Sequence, residues 1–255
     1  TENKRLKAAE KINQAKKQFM KPRFEFNPDF MIRAITKKNY YVVFMTVLLL
    51  LCTLKSEAQS TVTIGTGTSS SYFYGPYYRS SASSTFNYSR YAYLYTASEL
   101  GIPAGATITK IEWYKTTGTL TGNNTFNIWL NNSSSTSLSL GTTWGTLVTG
   151  ATSVYASTTQ SFSVTGGWES FTLGTSYNYT GGNLLILTDH VKSGTASGSN
   201  NFYYDQATGY AIGYASSTAP SSSTALSSST YANRRPRIRI TYTPPPPCTG
   251  TPNPG

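Results

Sequence analysis

The sequence predicts an all-β fold, a single antiparallel β-sandwich of jelly-roll type, on three observations. Residues 59–243 are rich in Thr, Ser, Gly, Asn and Tyr and carry little charge. Alternating apolar and polar segments recur there about every 8–15 residues between Gly, Asn and Ser turns, which suits a sandwich or barrel and not a helical or α/β fold. The stretch is also about 180 residues long, ample for one core and short for two.

Ahead of it, residues 1–30 form a basic segment with eight Lys and Arg against four acidic side chains. Leu6, Ile12, Ala15 and Phe19 sit at loosely helical spacing, and Pro22 and Pro28 would end any helix. A basic helix suits nucleic acid or an anionic membrane. The expectation is the plainer one, upstream translation with Met31 as the true start, because the basic opening of a signal sequence is complete from Met31 onward.

Residues 31–58 read as a secretory signal peptide. Arg33, Lys37 and Lys38 precede the uncharged run Val42–Leu54, and Ser56-Glu57-Ala58 offers small residues on either side of one larger one. As a helix the run would reach roughly 20 Å, short of the roughly 30 Å hydrocarbon core of a bilayer. Contact with the membrane is therefore expected only during export, to a secreted or cell-surface location. Residues 1–60 hold 12 basic and 5 acidic groups, so most of the chain's +11 lies in the leader and the exported part, with 9 and 5, is only +4. Nucleic acid is not an expected partner.

Cys52 lies in the leader, and Leu51 before it argues against lipidation. Cys248 is left alone in the exported part, where it cannot form an internal disulfide.

Taken in order, Thr61–Ile64 begins the sandwich, and an aromatic loop follows around Gly75-Pro76 with Tyr72, Phe73, Tyr74, Tyr77 and Tyr78. Phe86–Tyr95 alternates, with Phe86, Tyr88, Ala92 and Leu94 on one face and Tyr91, Tyr93 and Tyr95 on the other. Thr96-Ala97-Ser98-Glu99 has the form of a capping box, and Gly101 and Pro103 stop the helical turn at once. In Thr107–Lys115, Ile111 and Trp113 point inward while Lys110, Glu112 and Tyr114 point outward. Phe126, Ile128 and Leu130 form the next inner row, with Asn127, Trp129 and Asn131 outward; an exposed Ser/Thr connection then leads to Trp144.

Gly166-Gly167 is expected to close a two-residue hairpin that sets Phe162 opposite Phe171, with Val164 and Leu173 extending that face. Asn183–Thr188 is apolar on both faces and reads as a central strand. Asn201–Asp205 and Tyr210–Tyr214 are shorter strands. Arg237–Thr243 reads as an edge strand, with Ile238, Ile240 and Tyr242 inward and Arg237, Arg239 and Thr241 outward; the cluster Arg234, Arg235, Arg237 and Arg239 invites anion binding, but its charges and Pro236 better suit an edge kept from aggregating. Residues 244–255, opening on four prolines, form a stiff spacer toward a downstream domain of the same chain.

With those residues placed, the exported part resembles the β-sandwich modules at the front of secreted, multidomain surface proteins of the Bacteroidota, which often neighbour fibronectin type III domains. The resemblance is carried by Tyr91–Gly101 (YAYLYTASELG), Ile108–Trp113 (ITKIEW), Gly166–Leu173 (GGWESFTL), Asn183–Leu187 (NLLIL) and Arg235–Tyr242 (RPRIRITY). Its motifs are structural and mark a fold far better than an activity.

Chemistry is sparse. No phosphate loop, paired-cysteine zinc pattern or His-Glu-x-x-His occurs. The one histidine, His190, adjoins Asp189, and adjacent strand residues face opposite ways, so a triad is not formed and a surface strand-end position is expected. Of the exported carboxylates, Glu99 belongs to the cap and Glu112 and Glu169 to solvent faces. Asp189 and Asp205 could pair or hold calcium, but no dense Asp/Asn loop supplies the remaining oxygens. Neither cofactor nor enzymatic activity is expected. Aromatic rings are in excess, and Trp129, Tyr72, Tyr74, Tyr77 and Tyr78 are the candidates for holding a polysaccharide or surface glycan. The same rings also suit packing against a neighbouring domain. The expected role is non-catalytic adhesion or spacing, with carbohydrate binding beside a downstream hydrolase or peptidase as the alternative.

Overall fold

A computed structural model describes residues 44–46, 58–69, 75–77, 86–118, 120–192, 200–227 and 233–247. The chain divides into two units, Thr1–Ser56 and Glu57–Gly255. In the first, residues 44–46 are helical. The basic segment and nearly all of the expected signal peptide lie outside the described residues. No helix among the described residues is long and apolar enough to cross a membrane.

The second unit is a sandwich of two antiparallel sheets, with strands numbered in chain order. The first sheet runs β1 (Ser60–Ile64), β14 (Ile238–Thr243), β3 (Ala106–Gly118) and β7 (Gly167–Tyr179). A short strand, β9 (Asn200–Phe202), pairs with Lys115 and Gly118 of β3 past the last partner of β14. The second sheet runs β11 (Ala211–Ser216), β2 (Tyr88–Tyr95), β8 (Asn183–Lys192), β4 (Asn124–Ser133) and β6 (Thr152–Gln160). Two short ribbons, β10 (Tyr204–Gln206) with β13 (Arg234–Pro236) and β12 (Ala225–Leu226) with β5 (Thr142–Thr143), complete the unit.

Side-chain alternation builds two cores. Between the sheets lie Ile111, Trp113 and Ile240 from one side and Tyr93, Phe126 and Ile186 from the other, all buried. The opposite face of the second sheet is buried as well. There Ala92, Leu94, Leu185 and Leu187 pack under Trp144 and Leu147 of the short helix α2 (Trp144–Val148). The strand β8 is thus covered on both faces, as its unbroken apolar run requires, and it sits in the middle of its sheet. Each of those leucines and isoleucines contributes roughly 1.5–3 kcal/mol by leaving water.

The capping box is formed. In helix α1 (Ala97–Leu100) the Thr96 hydroxyl accepts from the Glu99 amide at 3.4 Å, and the Glu99 carboxylate accepts from the Thr96 amide at 2.9 Å. Asn183 Oδ1 takes a further free donor, the Ala97 amide, at 2.9 Å. Gly101 ends the turn with φ of 57°, a left-handed conformation that glycine adopts without strain.

Four expectations are corrected. Gly166-Gly167 does not close a hairpin, because residues 161–166 are not a strand and β7 pairs instead with β3, from Ala106↔Tyr179 to Lys115↔Gly167. The chain passes from β6 in one sheet to β7 in the other at this point, so Phe162 still reaches the core while Val164 is half exposed. The last strand is interior, lying between β1 and β3. Glu112 and Glu169 are buried in ion pairs, not solvated. Finally, His190 is buried in the core between the sheets.

Candidate functional site

The structure separates the rings singled out from sequence. Tyr77 is wholly buried, stacked on Phe162 at 3.7 Å between centroids, with Phe202 and Phe126 edge-on at 4.9 and 5.6 Å. It is a core residue and offers no face to a ligand. Thr188 in β8 anchors residues 75–77 by donating its hydroxyl to the Pro76 carbonyl at 2.7 Å. Trp129 is outward on β4 as expected. Its ring, however, is half-buried against Trp144, edge-on at 5.6 Å, so α2 takes up much of it. Tyr72, Tyr74 and Tyr78 lie outside the described residues.

A different group of rings gathers on the outer face of the first sheet. The register sets Tyr114 of β3 beside Trp168 of β7, their centroids 5.0 Å apart, and Tyr203 lies 5.2 Å from Tyr114 on the other side. All three are half-buried. The guanidinium of Arg237 sits over Tyr114 at 4.9 Å and Trp168 at 5.6 Å, and that of Arg239 sits over Trp168 at 4.4 Å. Cations are attracted to the negative ring faces, and guanidinium stacks there as a plane. Exposed hydroxyls flank this layer: Thr61 and Thr63 on β1, Ser170 and Thr172 on β7.

Beneath the layer, Glu112 receives Arg239 in a two-pronged pair, Nε at 2.6 Å and Nη2 at 2.7 Å. The Ser170 hydroxyl also donates to it, and the Lys110 ammonium stands 3.2 Å away. Burial resists ionisation of Glu112, but the hydrogen bonds from Arg239, Ser170 and Lys110 outweigh it and bring the carboxyl down to about 2. Arg239 is correspondingly raised, mainly by its hydrogen bond to Glu112. Arg237 has no carboxylate partner among the described residues, and its Nε is buried without a hydrogen bond. Lys110 and Arg239 thus share the carboxylate of Glu112, while Arg237 pairs with none among the described residues.

The rest of the arginine cluster is structural. Arg235 is buried over the Tyr95 ring at 4.7 Å, donates to the Leu94 carbonyl at 2.9 Å, and pairs with both oxygens of Glu99. Burial works against the Glu99 charge, yet the bonds from Arg235 and Thr96 bring that carboxyl to about 2. Arg235 thus ties β13 to the capping box.

The interior polar groups are also committed. Lys115 and Glu169 form a buried pair at 3.0 Å, and both hold the crossing loop at Ser163. Lys115 donates to the Ser163 carbonyl, while the Ser163 amide donates to Glu169 at 3.2 and 3.3 Å. His190 Nε2 lies 2.9 Å from Asn124 Oδ1. Burial, with a smaller contribution from the charge of Lys192, lowers the imidazole to about 3, so it is neutral at pH 7 and donates to Asn124. Asp189 lies on the other face of β8, 3.4 Å from Arg90, and burial raises its carboxyl in spite of that arginine. Among the described residues no three His, Cys, Asp or Glu side chains are grouped to hold a metal.

No family model matches the chain, and no curated protein matches it. Among solved structures the chain is similar to the Clostridial cysteine protease Cwp84 after propeptide cleavage, with 9% identity and a TM-score of 0.43. The match covers 73% of this chain and 40% of that one, so the chain spans less than half the length of that structure. A likeness this slight carries no argument about what the domain does.

Proposed function

We propose that the domain is a non-catalytic β-sandwich of a secreted or cell-surface protein, serving adhesion or spacing within a larger multidomain chain. One observation carries this reading, the division of labour among the side chains. Glu99, Glu112, Glu169 and Asp189 each face a basic group, and His190 is sealed against Asn124. An acid or base must reach substrate to act on it, and these groups are committed to the fold. Asp205, the remaining carboxylate, is half-buried and accepts from the Thr66 amide at 3.4 Å, and one carboxylate does not supply the acid and base of a hydrolytic pair. Export rests on residues 31–58. Expression from Met31 with sequencing of the released amino terminus tests it: a start at Gln59 supports the reading, and an intact chain retained in the cytosol overturns it. Turnover of any substrate by the chain would overturn the non-catalytic part.

The second reading, carbohydrate binding in support of a downstream hydrolase or peptidase, is favoured by the Tyr114, Trp168 and Tyr203 layer. Rings with polar edges beside hydroxyl donors suit sugar surfaces. Retention in gels cast with polysaccharide is the test. Trp168→Ala is expected to abolish retention and Trp129→Ala to leave it intact. If no polysaccharide retains the wild type, this second reading fails and adhesion to other partners or spacing remains.

A further inference from the structure

We propose that the outer face of the first sheet recognises an acidic polysaccharide, with Arg237 meeting a sugar carboxylate. The inference rests on the carbohydrate-binding reading and narrows it to one chemical class. Its basis is the contrast between Arg237 and its neighbours. Arg235, Arg239 and Arg90 each face a carboxylate of this chain, whereas Arg237 has none among the described residues. Its guanidinium carbon lies 4.9 Å from the Tyr114 ring and 5.6 Å from the Trp168 ring, and its buried Nε is without an acceptor. A guanidinium presents its N–H donors in one plane, and with Nε buried the two Nη groups are the pair that a carboxylate can take side by side. Its orientation is fixed in advance, so little side-chain freedom is lost when an anion arrives.

The surroundings select the occupant. Arg239 shares the Trp168 ring with Arg237, and Lys110 reaches the same Glu112 that Arg239 pairs with. No large apolar side chain is exposed on β1, β14, β3 or β7, which disfavours a greasy protein partner or the interior of a membrane. Four neighbouring strands about 4.8 Å apart make a strip some 15 Å wide, lined by Thr61, Thr63, Ser170 and Thr172. A charged, hydroxyl-bearing, extended chain matches that strip in sign, polarity and shape.

The probe is polygalacturonate, compared by calorimetry with the same polymer after reduction of its carboxyl groups to alcohols, using the full chain. The acidic polymer is expected to bind at least tenfold more tightly, and Arg237→Gln to cost about tenfold on the acidic polymer while leaving the reduced one unchanged. Arg237→Lys, which keeps the charge without the flat fork, is expected to recover only part of the loss. Circular dichroism and urea unfolding establish that each variant is folded. Equal affinity for the two polymers overturns the acidic preference and leaves the broader sugar-binding reading standing; binding of neither overturns both. Diffuse attraction to the basic leader is separated by Lys16→Gln with Lys17→Gln. A loss there as large as that at Arg237 also overturns the proposal.

Discussion

His190 is the only histidine in the chain, so its titration can be followed without interference from another. In the folded protein its imidazole is lowered to about 3, first by burial and then by Lys192, against about 6.5 when unfolded. As pH falls through 6.5 the unfolded chain gains a proton that the folded chain refuses, and the balance shifts toward unfolding. The contribution is thus complete above pH 6.5 and is lost progressively down to pH 3. Between pH 7 and pH 5 this linkage amounts to about 2 kcal/mol, and by pH 4 to about 3 kcal/mol. Carboxylates with ordinary unfolded values near 4.3 contribute little above pH 5 unless raised; Asp189, raised by burial, acts in the opposite sense, so the His190→Gln difference isolates the imidazole. Urea unfolding of the full chain at pH 7, 6 and 5, followed by tryptophan fluorescence, measures the change. His190→Gln, which can still donate to Asn124, should flatten the profile above pH 5. A wild type equally stable at pH 7 and pH 5, or a variant that loses as much as the wild type, would refute the buried, neutral imidazole.

Lys115→Met leaves Glu169 charged and buried without its cation, and should cost about 3–5 kcal/mol in urea unfolding; a loss under about 1 kcal/mol would mean that the pair is solvated. The carboxyls of Glu99 and Glu112, both down to about 2, give stability that is present above their unfolded values and lost as pH falls through 2. Acid unfolding of Glu112→Gln should therefore be shallower than that of the wild type below pH 4, and superimposable curves would count against the Arg239 pair. Tyr77 carries a buried hydroxyl with no partner, so Tyr77→Phe should be neutral or stabilise by up to about 2 kcal/mol in thermal or urea unfolding, and a clear loss would reveal a missed hydrogen bond.

Local patterns were legible in the sequence wherever they depended on alternation alone. Within β2 the faces sort as read, with Tyr91, Tyr93 and Tyr95 between the sheets and Ala92 and Leu94 beneath α2, whereas Phe86, read onto the face of Ala92, precedes the strand and packs against the core between the sheets. The β8 run and the Thr96–Glu99 cap follow in the same way. Alternation says which way a side chain points, but it does not say which strand lies alongside. Gly166-Gly167 had the chemistry of a tight hairpin, yet pairing of β7 with the long β3 prevailed over the local turn. That same ambiguity hid the interior position of β14. The burial of Glu169 had a readable sign, since it shares parity with Phe171 and Leu173. Its partner Lys115 likewise shares parity with Ile111 and Trp113. The ring layer was only half visible. Tyr114, Arg237 and Arg239 were each placed outward, but Trp168 joins them only through the β3–β7 register and Tyr203 through its backbone bond to Tyr114.

Hydroxyl-radical footprinting with and without saturating polygalacturonate tests most directly the proposal that the ring layer on the first sheet binds a polysaccharide. Tyr114, Trp168 and Tyr203 should gain protection together, while Trp129 on the far sheet keeps its free rate of oxidation. Protection at Trp129 alone, or unchanged rates at all four rings while the polymer is demonstrably bound, would place the contact elsewhere and contradict the account.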